Sequence, residues 1–545
     1  MPSLSLLKNF VLVAALPLVH AANITLNDWS SLSPSSDLHW TPCFENYTCA
    51  RLKVPLDYEN PSLANTAIAF IKLSATNVTK DTRSLLINPG GPGGSGVEAI
   101  LSQGTALTEL LQGQHNVVGF DPRGVGRSGP VVDCWPDYPA GRAQFESLYY
   151  PDISNASSTS TGTQFSAAAI FGKACTSAVG GSNGTAAYAS TPAVAQDMLS
   201  YVKAEQKATG HADTKLWYYG VSYGTVLGAT FANLFPDNIG KMILDGVVDA
   251  EDYYNLGWKS NLFDADRAIG SFIQSCFNAG EDNCSFWGPS TQNISARLEK
   301  VLYDLKHSPI PIAPSNLCPL PMLATYSDLK QVILQAMYSP LDGFPNLATI
   351  LAGLEQGDTT AYEATVTSGA IPASPCNYAI NGTTSTRDIN TLIKCVDGAS
   401  GTKFANLSEF ESYVKIMNEQ SAFFGDVWPN NANGVACRSF NVSPPSNSRL
   451  PGSILETRHT SNPILFVTTE IDPVAPKRGA YKMSSVFPGS VVLTQNSVGH
   501  TAFVSASTCF VERIRAYIFR GELPLVNETC QPDVQPFQAT ADISL

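Results

Sequence analysis

The chain has 545 residues, a formal net charge of −13 and 44% hydrophobic residues, enough apolar content for one large core with an inserted subdomain. The acidic balance excludes nucleic acid and anionic membrane surfaces as expected partners. The 12 cysteines show no zinc-finger spacing and there is no H-E-x-x-H, so no metal and no cofactor is expected, and the even number reads as disulfides formed in an oxidising compartment.

Residues 1–21 hold one basic residue, Lys8, an apolar stretch from Phe10 to Val19, and Val19-His20-Ala21 with small residues at the cleavage positions. That is the pattern of a signal peptide, and the stretch is short of the ~20 residues a spanning helix needs. A secreted, extracellular protein is expected, with no membrane partner. Eleven N-x-S/T sequons fit a glycoprotein: Asn23, Asn46, Asn77, Asn155, Asn183, Asn283, Asn293, Asn381, Asn406, Asn441 and Asn527.

In chain order, Thr66 to Ser74 alternates as a half-buried strand, and Ser84 to Ile87 and Asn116 to Phe120 are short apolar runs ending in glycine-rich turns. Ser154 to Thr163 is Ser/Thr/Gly-rich and reads as a glycosylated surface loop. Val194 to Lys207 has helical spacing, Leu216 to Tyr219 is a strand, Thr225 to Leu234 a small-residue helix, and Lys241 to Leu244 the next strand. Strands alternating with helices predict an α/β fold with a mostly parallel sheet. From 249 to 456 the pattern changes to aromatics, helices such as Ile294 to Leu305 and Leu329 to Tyr338, and Pro-rich loops. Strand character returns at Pro463 to Thr468 and Ser490 to Leu493, followed by a helix from Cys509 to Phe519. The expected organisation is a signal peptide (1–21), a core split into 22–248 and 457–545, and a mainly helical cap or lid inserted at 249–456.

Between the strand at Leu216 and the helix at Thr225 stands Gly220-Val221-Ser222-Tyr223-Gly224. A G-x-S-x-G pattern arises by chance ~0.3 times in a chain this rich in Gly and Ser, so the flanks carry the signal. A strand-to-helix turn presents the hydroxyl clear of its neighbours, which a weak nucleophile such as Ser222 needs. Asn88 to Gly96 (N-P-G-G-P-G-G-S-G) follows a strand and precedes a helix, without the lysine of a phosphate loop. It nominates the amide of Gly91, with that of Tyr223, as an oxyanion hole. The acid belongs at a late strand end, where Glu470 and Asp472 compete and the following proline favours Asp472. His500, in Val498-Gly499-His500-Thr501, is the only histidine after both that acid and a strand. The order Ser222, Asp472, His500 is that of a nucleophile, an orienting acid and a general base. Asp121-Pro122-Arg123-Gly124 reads as structural, pinning the loop beside the site.

These motifs, with L-D-G-V-V-D at 244–249 and E-x-D-P-V-x-P at 470–476, resemble the tripeptidyl aminopeptidase and prolyl aminopeptidase group of α/β-hydrolases. Asn88-Pro89-Gly90-Gly91-Pro92-Gly93, where prolyl aminopeptidases carry H-G-G-P-G, is more similar to the secreted tripeptidyl branch. The resemblance implies an α/β-hydrolase fold and hydrolysis near a free N-terminus through an acyl-enzyme. It also implies acidic groups that hold the substrate ammonium, for which Asp249, Glu251 and Asp252 are candidates. The expected ligand is a peptide or small acyl substrate, and the expected state a monomer. An esterase or lactone-type hydrolase on the same scaffold is the alternative, since one such site serves many acyl groups.

Sequence neighbours pair Cys43 with Cys49, Cys134 with Cys175, Cys276 with Cys284 and Cys509 with Cys530. Cys318, Cys376, Cys395 and Cys437 leave three connectivities open. The resemblance favours Cys395 with Cys437, and hence Cys318 with Cys376.

Overall fold

The computed structural model describes residues 29–538 except 137, 139–140, 143, 146–151, 371–385 and 432. The expected signal peptide, the sequons Asn23 and Asn381, and Cys376 lie outside the described residues.

The described residues form twelve strands: β1 (Thr41–Cys43), β2 (Tyr47–Pro55), β3 (Asn65–Leu73), β4 (Ser84–Asn88), β5 (Asn116–Phe120), β6 (Leu216–Val221), β7 (Ile239–Asp245), β8 (Ile310–Ile312), β9 (Met322–Ala324), β10 (Leu465–Ile471), β11 (Val491–Val498) and β12 (Thr529–Cys530). Ten of them make one sheet in the order β1-β2-β3-β5-β4-β6-β7-β10-β11-β12, while β8 and β9 pair by themselves. The first three strands run antiparallel, as does β3 against β5. From β5 to β12 every pairing is parallel. Parallel strands are covered on both faces, so they read as continuous apolar runs; all five residues of β4 are buried.

Local chemistry sets the crossovers. The helix Thr191–Thr209 starts at Ser190, whose side chain accepts from the Ala193 amide, carries Pro192 in its first turn, and stops at Gly210 in the left-handed region (φ 74°). The helix Tyr223–Leu234 is rich in Gly, Ala and Thr and is buried over nearly its whole surface. Small side chains let it lie close against the sheet.

Between β7 and β10 the chain leaves the large sheet and contributes helices and the β8–β9 hairpin. It stays welded to the sheet layer: one continuous apolar cluster runs from Ile68 and Phe70 through Leu227 and Leu244 to Phe272, Ile333, Leu351 and Tyr413.

Two expectations are corrected. The stretch 154–163 is not a free surface loop, because Ser154 is buried and a helix, Ser160–Ala178, begins inside it. Its Ser160 hydroxyl accepts from the Ser157 amide, so the serines act locally at a helix start. Thr66 to Ser74 is a strand, but Ala67 to Ile71 are buried without alternation, since both faces are covered. The first two strands had no predicted counterpart in the polar N-terminal stretch.

Disulfides join Cys43–Cys49, Cys134–Cys175, Cys276–Cys284, Cys395–Cys437 and Cys509–Cys530. Of the described sequons, Asn46, Asn77, Asn155, Asn183, Asn283, Asn406, Asn441 and Asn527 are exposed and Asn293 is half-buried.

Candidate active site

The turn after β6 places Ser222 at φ 57°, ψ −123°, a conformation that costs a non-glycine residue on the order of 1–3 kcal/mol. Its neighbours hold it there. The Ser222 amide donates to the Asp245 carbonyl at 2.9 Å, and the Thr225 amide and hydroxyl donate to the Ser222 carbonyl at 2.8 and 2.6 Å. Both flanking glycines are required by close approach: a Cβ on Gly220 would lie 2.4 Å from the Gly224 carbonyl oxygen, and one on Gly224 2.8 Å from that of Asn88.

The glycine-rich loop presses on the same turn. A Cβ on Gly90 would sit 2.4 Å from the Val221 carbonyl and 3.1 Å from the Tyr223 nitrogen. Gly91, at φ 112°, thus follows directly after the residue packed on Ser222 and Tyr223, and it lines the cavity that Ser222 lines. The Tyr223 amide is the first of the helix behind it, a position with no intrahelical acceptor.

His500 enters from the loop after β11. Its Nδ1 is 2.9 and 3.1 Å from the two carboxylate oxygens of Asp472, which is fully buried. Asp472 closes the turn after β10, accepting from the amides of Val474 (3.0 Å) and Ala475 (2.8 Å). The carboxylate therefore holds its own turn and the imidazole together. Burial disfavours the charged form of His500, but the Asp472 charge and hydrogen bond, with the Asp245 charge, outweigh it and raise its pKa above 6.5. The ring stands edge-on to Tyr338 at 5.1 Å, and the His500 amide donates to the Tyr338 carbonyl at 3.0 Å.

Glu470, the competing acid, is placed elsewhere. It is one-third exposed and pairs with Lys477 at 2.6 Å and Arg267 at 3.4 Å. The ammonium-anchor expectation is corrected too. Asp249 and Glu251 both pair with Lys482, at 2.7 and 2.8 Å, and Asp249 caps the short helix that follows it. Asp252 accepts from the Lys259 and Ser260 amides and the Ser260 hydroxyl. None of the three lines the cavity; Lys482 satisfies Asp249 and Glu251, and the following loop satisfies Asp252.

The cavity, of about 440 Å³, is lined on the sheet side by Gly91, Ser222, Val248, Val474, Ala475 and His500. Its other wall is Trp258, Asn261, Gln331, Gln335, Tyr338 and Trp428 with Arg387, Asn390 and Lys394. The last three share one face of the helix Thr386–Asp397, and Asn390 donates to the Pro92 carbonyl at 2.8 Å, tying that helix to the glycine-rich loop. Asn261 donates Nδ2 to the Val474 carbonyl at 2.9 Å, which leaves its Oδ1 a buried acceptor with no donor.

Two carboxylates without a predicted role brace the site. Asp245, at the end of β7, accepts from the Tyr219 hydroxyl (2.9 Å) and the Ala502 amide (2.9 Å), fixing the segment just past His500. Burial raises it to about 6. Asp397 accepts from the Thr191 amide (2.6 Å) and hydroxyl (2.5 Å) and the Tyr253 hydroxyl (2.8 Å), and the Tyr223 hydroxyl bonds the same Thr191 hydroxyl. Burial raises it to about 7. Asp245 is marked in sequence by its place at a strand end; nothing local marks Asp397. The Asp121 and Arg123 segment is structural as expected: Asp121 accepts from the Ser95 hydroxyl at 2.5 Å and the Arg127 amide at 2.9 Å, and Arg123 makes two bonds to Asp197, at 2.7 and 2.8 Å.

A serine at a left-handed strand-to-helix apex, at the C-terminal edge of a mostly parallel sheet, defines this class of protein as an α/β-hydrolase. Residues 83–280 match the family described as alpha/beta hydrolase fold, and residues 421–530 the family described as TAP-like protein. It is similar to serine protease Hip1 of Mycobacterium tuberculosis, 27% identical over 524 residues and covering 90% of this chain and 91% of that protein. Tripeptidyl aminopeptidase of Streptomyces lividans is 25% identical over 513 residues, 92% of this chain and 87% of that one. Carboxylesterase B of Mycobacterium tuberculosis is 24% identical over 496 residues, 89% and 86% of the two chains.

Proposed function

We propose that the chain is a secreted serine peptidase that transfers an acyl group to Ser222 and releases short peptides, of up to three residues, from free N-termini. The observation that carries this reading is the strained Ser222 sharing one cavity with a His500 whose Nδ1 is held by Asp472. In the proposed reaction His500 Nε2 takes the Ser222 proton as the hydroxyl attacks the scissile carbonyl, and gives it to the leaving amine. Asp472 keeps Nδ1 protonated and offsets the imidazolium charge. The amides of Gly91 and Tyr223 receive the oxyanion. The inserted segment, 249–456, acts as the lid that sets substrate length.

The peptidase reading draws on the relatives named serine protease and tripeptidyl aminopeptidase. Secretion is supported by five disulfides and by the exposed sequons. Among the described residues no helix is long and apolar enough to cross a membrane.

An esterase reading has one observation in its favour: no carboxylate of the described residues lines the cavity to hold an ammonium. Peptide anilides of one to three residues, free and N-blocked, and nitrophenyl esters separate the two on the purified protein. Cleavage of free-amine anilides, lost on blocking, is expected; cleavage of esters alone would overturn the peptidase reading.

A further inference from the structure

The protein buries cations in two ways. Arg123, fully buried, meets Asp197 in a two-bond pair. Lys330, 4% exposed, has its ammonium 3.1 Å from Asp426 and bonded to the Phe423 carbonyl. Both obey the rule that a buried charge is stable only when paired and hydrogen-bonded.

Lys394 breaks that rule. It is 9% exposed and lies on the wall of the Ser222 cavity, yet among the described residues no carboxylate or carbonyl receives its ammonium. The ammonium lies against the Trp258 ring, whose centroid is 4.8 Å away. A cation–π contact is weaker than the cost of removing an ammonium from water. Arg387, one helical turn pair earlier on the same face, adds like charge instead of relief. Burial and then that charge push Lys394 down to about 7, so it remains largely cationic in mildly acidic solution. An ammonium with no acceptor among the described residues thus stands on the wall of a cavity that no carboxylate of the described residues lines.

We propose that Lys394 forms an anion-receiving subsite in the Ser222 cavity, so that preferred substrates carry a carboxylate close enough to the scissile bond to share that cavity. The proposal rests on the peptidase reading for the kind of acyl group, and names its substrate class as acidic peptides. The carboxylate comes from an Asp or Glu side chain or from the C-terminus of a short peptide. Either source supplies the acceptor that the lysine lacks, in a site where charge-assisted hydrogen bonds are strong.

Two matched pairs tell the sources apart: tripeptide anilides differing only as Glu against Gln, and tetra-alanine with a free against an amidated C-terminus. The full-length protein is expected to favour the acid of at least one pair by about tenfold or more in kcat/KM. Lys394→Gln should bring that ratio to about one, Lys394→Glu should invert it, and Lys394→Arg should keep it. Fluorophosphonate labelling of each variant reports that the site is folded, and if Lys394→Gln fails to label, the Arg and Glu variants still read the charge. A ratio of about one for both pairs in the unsubstituted protein, or a ratio unchanged in Lys394→Gln, would overturn the subsite. If no peptide is cleaved, the peptidase reading fails by itself, and nitrophenyl monosuccinate against nitrophenyl butyrate reads the subsite in the same way.

Discussion

The two walls of the Ser222 cavity are built by different rules. On the sheet side each group sits at the end of a strand, and its partners are a turn or a neighbouring strand away: Ser222 after β6, Asp245 on β7, Asp472 after β10, His500 after β11. On the inserted side one helix, Thr386–Asp397, brings Arg387, Asn390 and Lys394 to the cavity and sends Asp397 under the elbow to Thr191. The strand-end carboxylates are held by neighbouring amides and hydroxyls; the helix side leaves an ammonium without an acceptor among the described residues. The comparison teaches that the proposed chemistry stands on strand ends, and the proposed selectivity on a helix whose local sequence carries no motif.

The largest expected effect tests the sheet side. Asp472→Asn should lower kcat by about 10⁴, because the amide no longer holds the imidazole in its working tautomer. Glu470→Gln, which removes only half-exposed pairs with Lys477 and Arg267, should change kcat by no more than a few-fold and stability by less than about 1 kcal/mol. Steady-state kinetics and thermal unfolding of the two variants side by side would break the comparison if their effects were reversed.

Asp397 tests the join between the walls. Asp397→Ala leaves three donors, the Thr191 amide and hydroxyl and the Tyr253 hydroxyl, without their acceptor and should destabilise the fold by about 2–4 kcal/mol, read by denaturant unfolding. Its pKa of about 7 in the fold, against 3.8 in the open chain, means the folded state holds a proton that the unfolded state has lost. The associated stability is full below pH 3.8 and is lost as pH rises to about 7. Asp245 and Asp328, each near 6 by burial, act in the same direction. His115, pushed down to about 4 by burial, opposes them between 4 and 6.5. Lys394, pushed down to about 7, opposes them above pH 7; the three carboxylates outweigh this imidazole and this ammonium, which predicts a midpoint temperature that falls from pH 5 to pH 8, and a smaller fall in Asp397→Asn.

A finer effect concerns His500. Its raised pKa places the acid limb of kcat/KM above the ordinary imidazole value of 6.5, since the base must be neutral in the free enzyme. Asp245→Asn removes one of the charges that raise it and should move that limb to lower pH. A limb that stays in place would remove Asp245 from the electrostatics of the site.

Strand-end logic explains what the sequence allowed to be read. The alternation of short apolar runs with helical stretches placed β4, β5, β6 and β7 to within a few residues, because buried parallel strands are apolar and their turns are glycine-rich. Ser222, Asp472 and His500 could be nominated because chain order and strand ends restrict where such groups can stand, and the structure brings Asp472 onto His500 and His500 into the cavity that Ser222 lines. Asp249 and Glu251 were misread as substrate anchors, since Lys482, with which both pair, lies on a helix that comes more than two hundred residues later. Ser160 was misread because a serine-rich stretch looks alike whether it frays in water or starts a helix. Lys394 and Asp397 carried no signal: an amphipathic helix shows which face is apolar, not which cavity its polar face meets. The β1–β2 hairpin was hidden in a stretch too polar to show a period.

The central claim is that Ser222 is the nucleophile. Treatment of the purified protein with a fluorophosphonate probe, followed by digestion and mass spectrometry, should find the label on the peptide containing Ser222, and Ser222→Ala should abolish both labelling and turnover. Label on any other residue, or labelling that survives Ser222→Ala, would contradict the account.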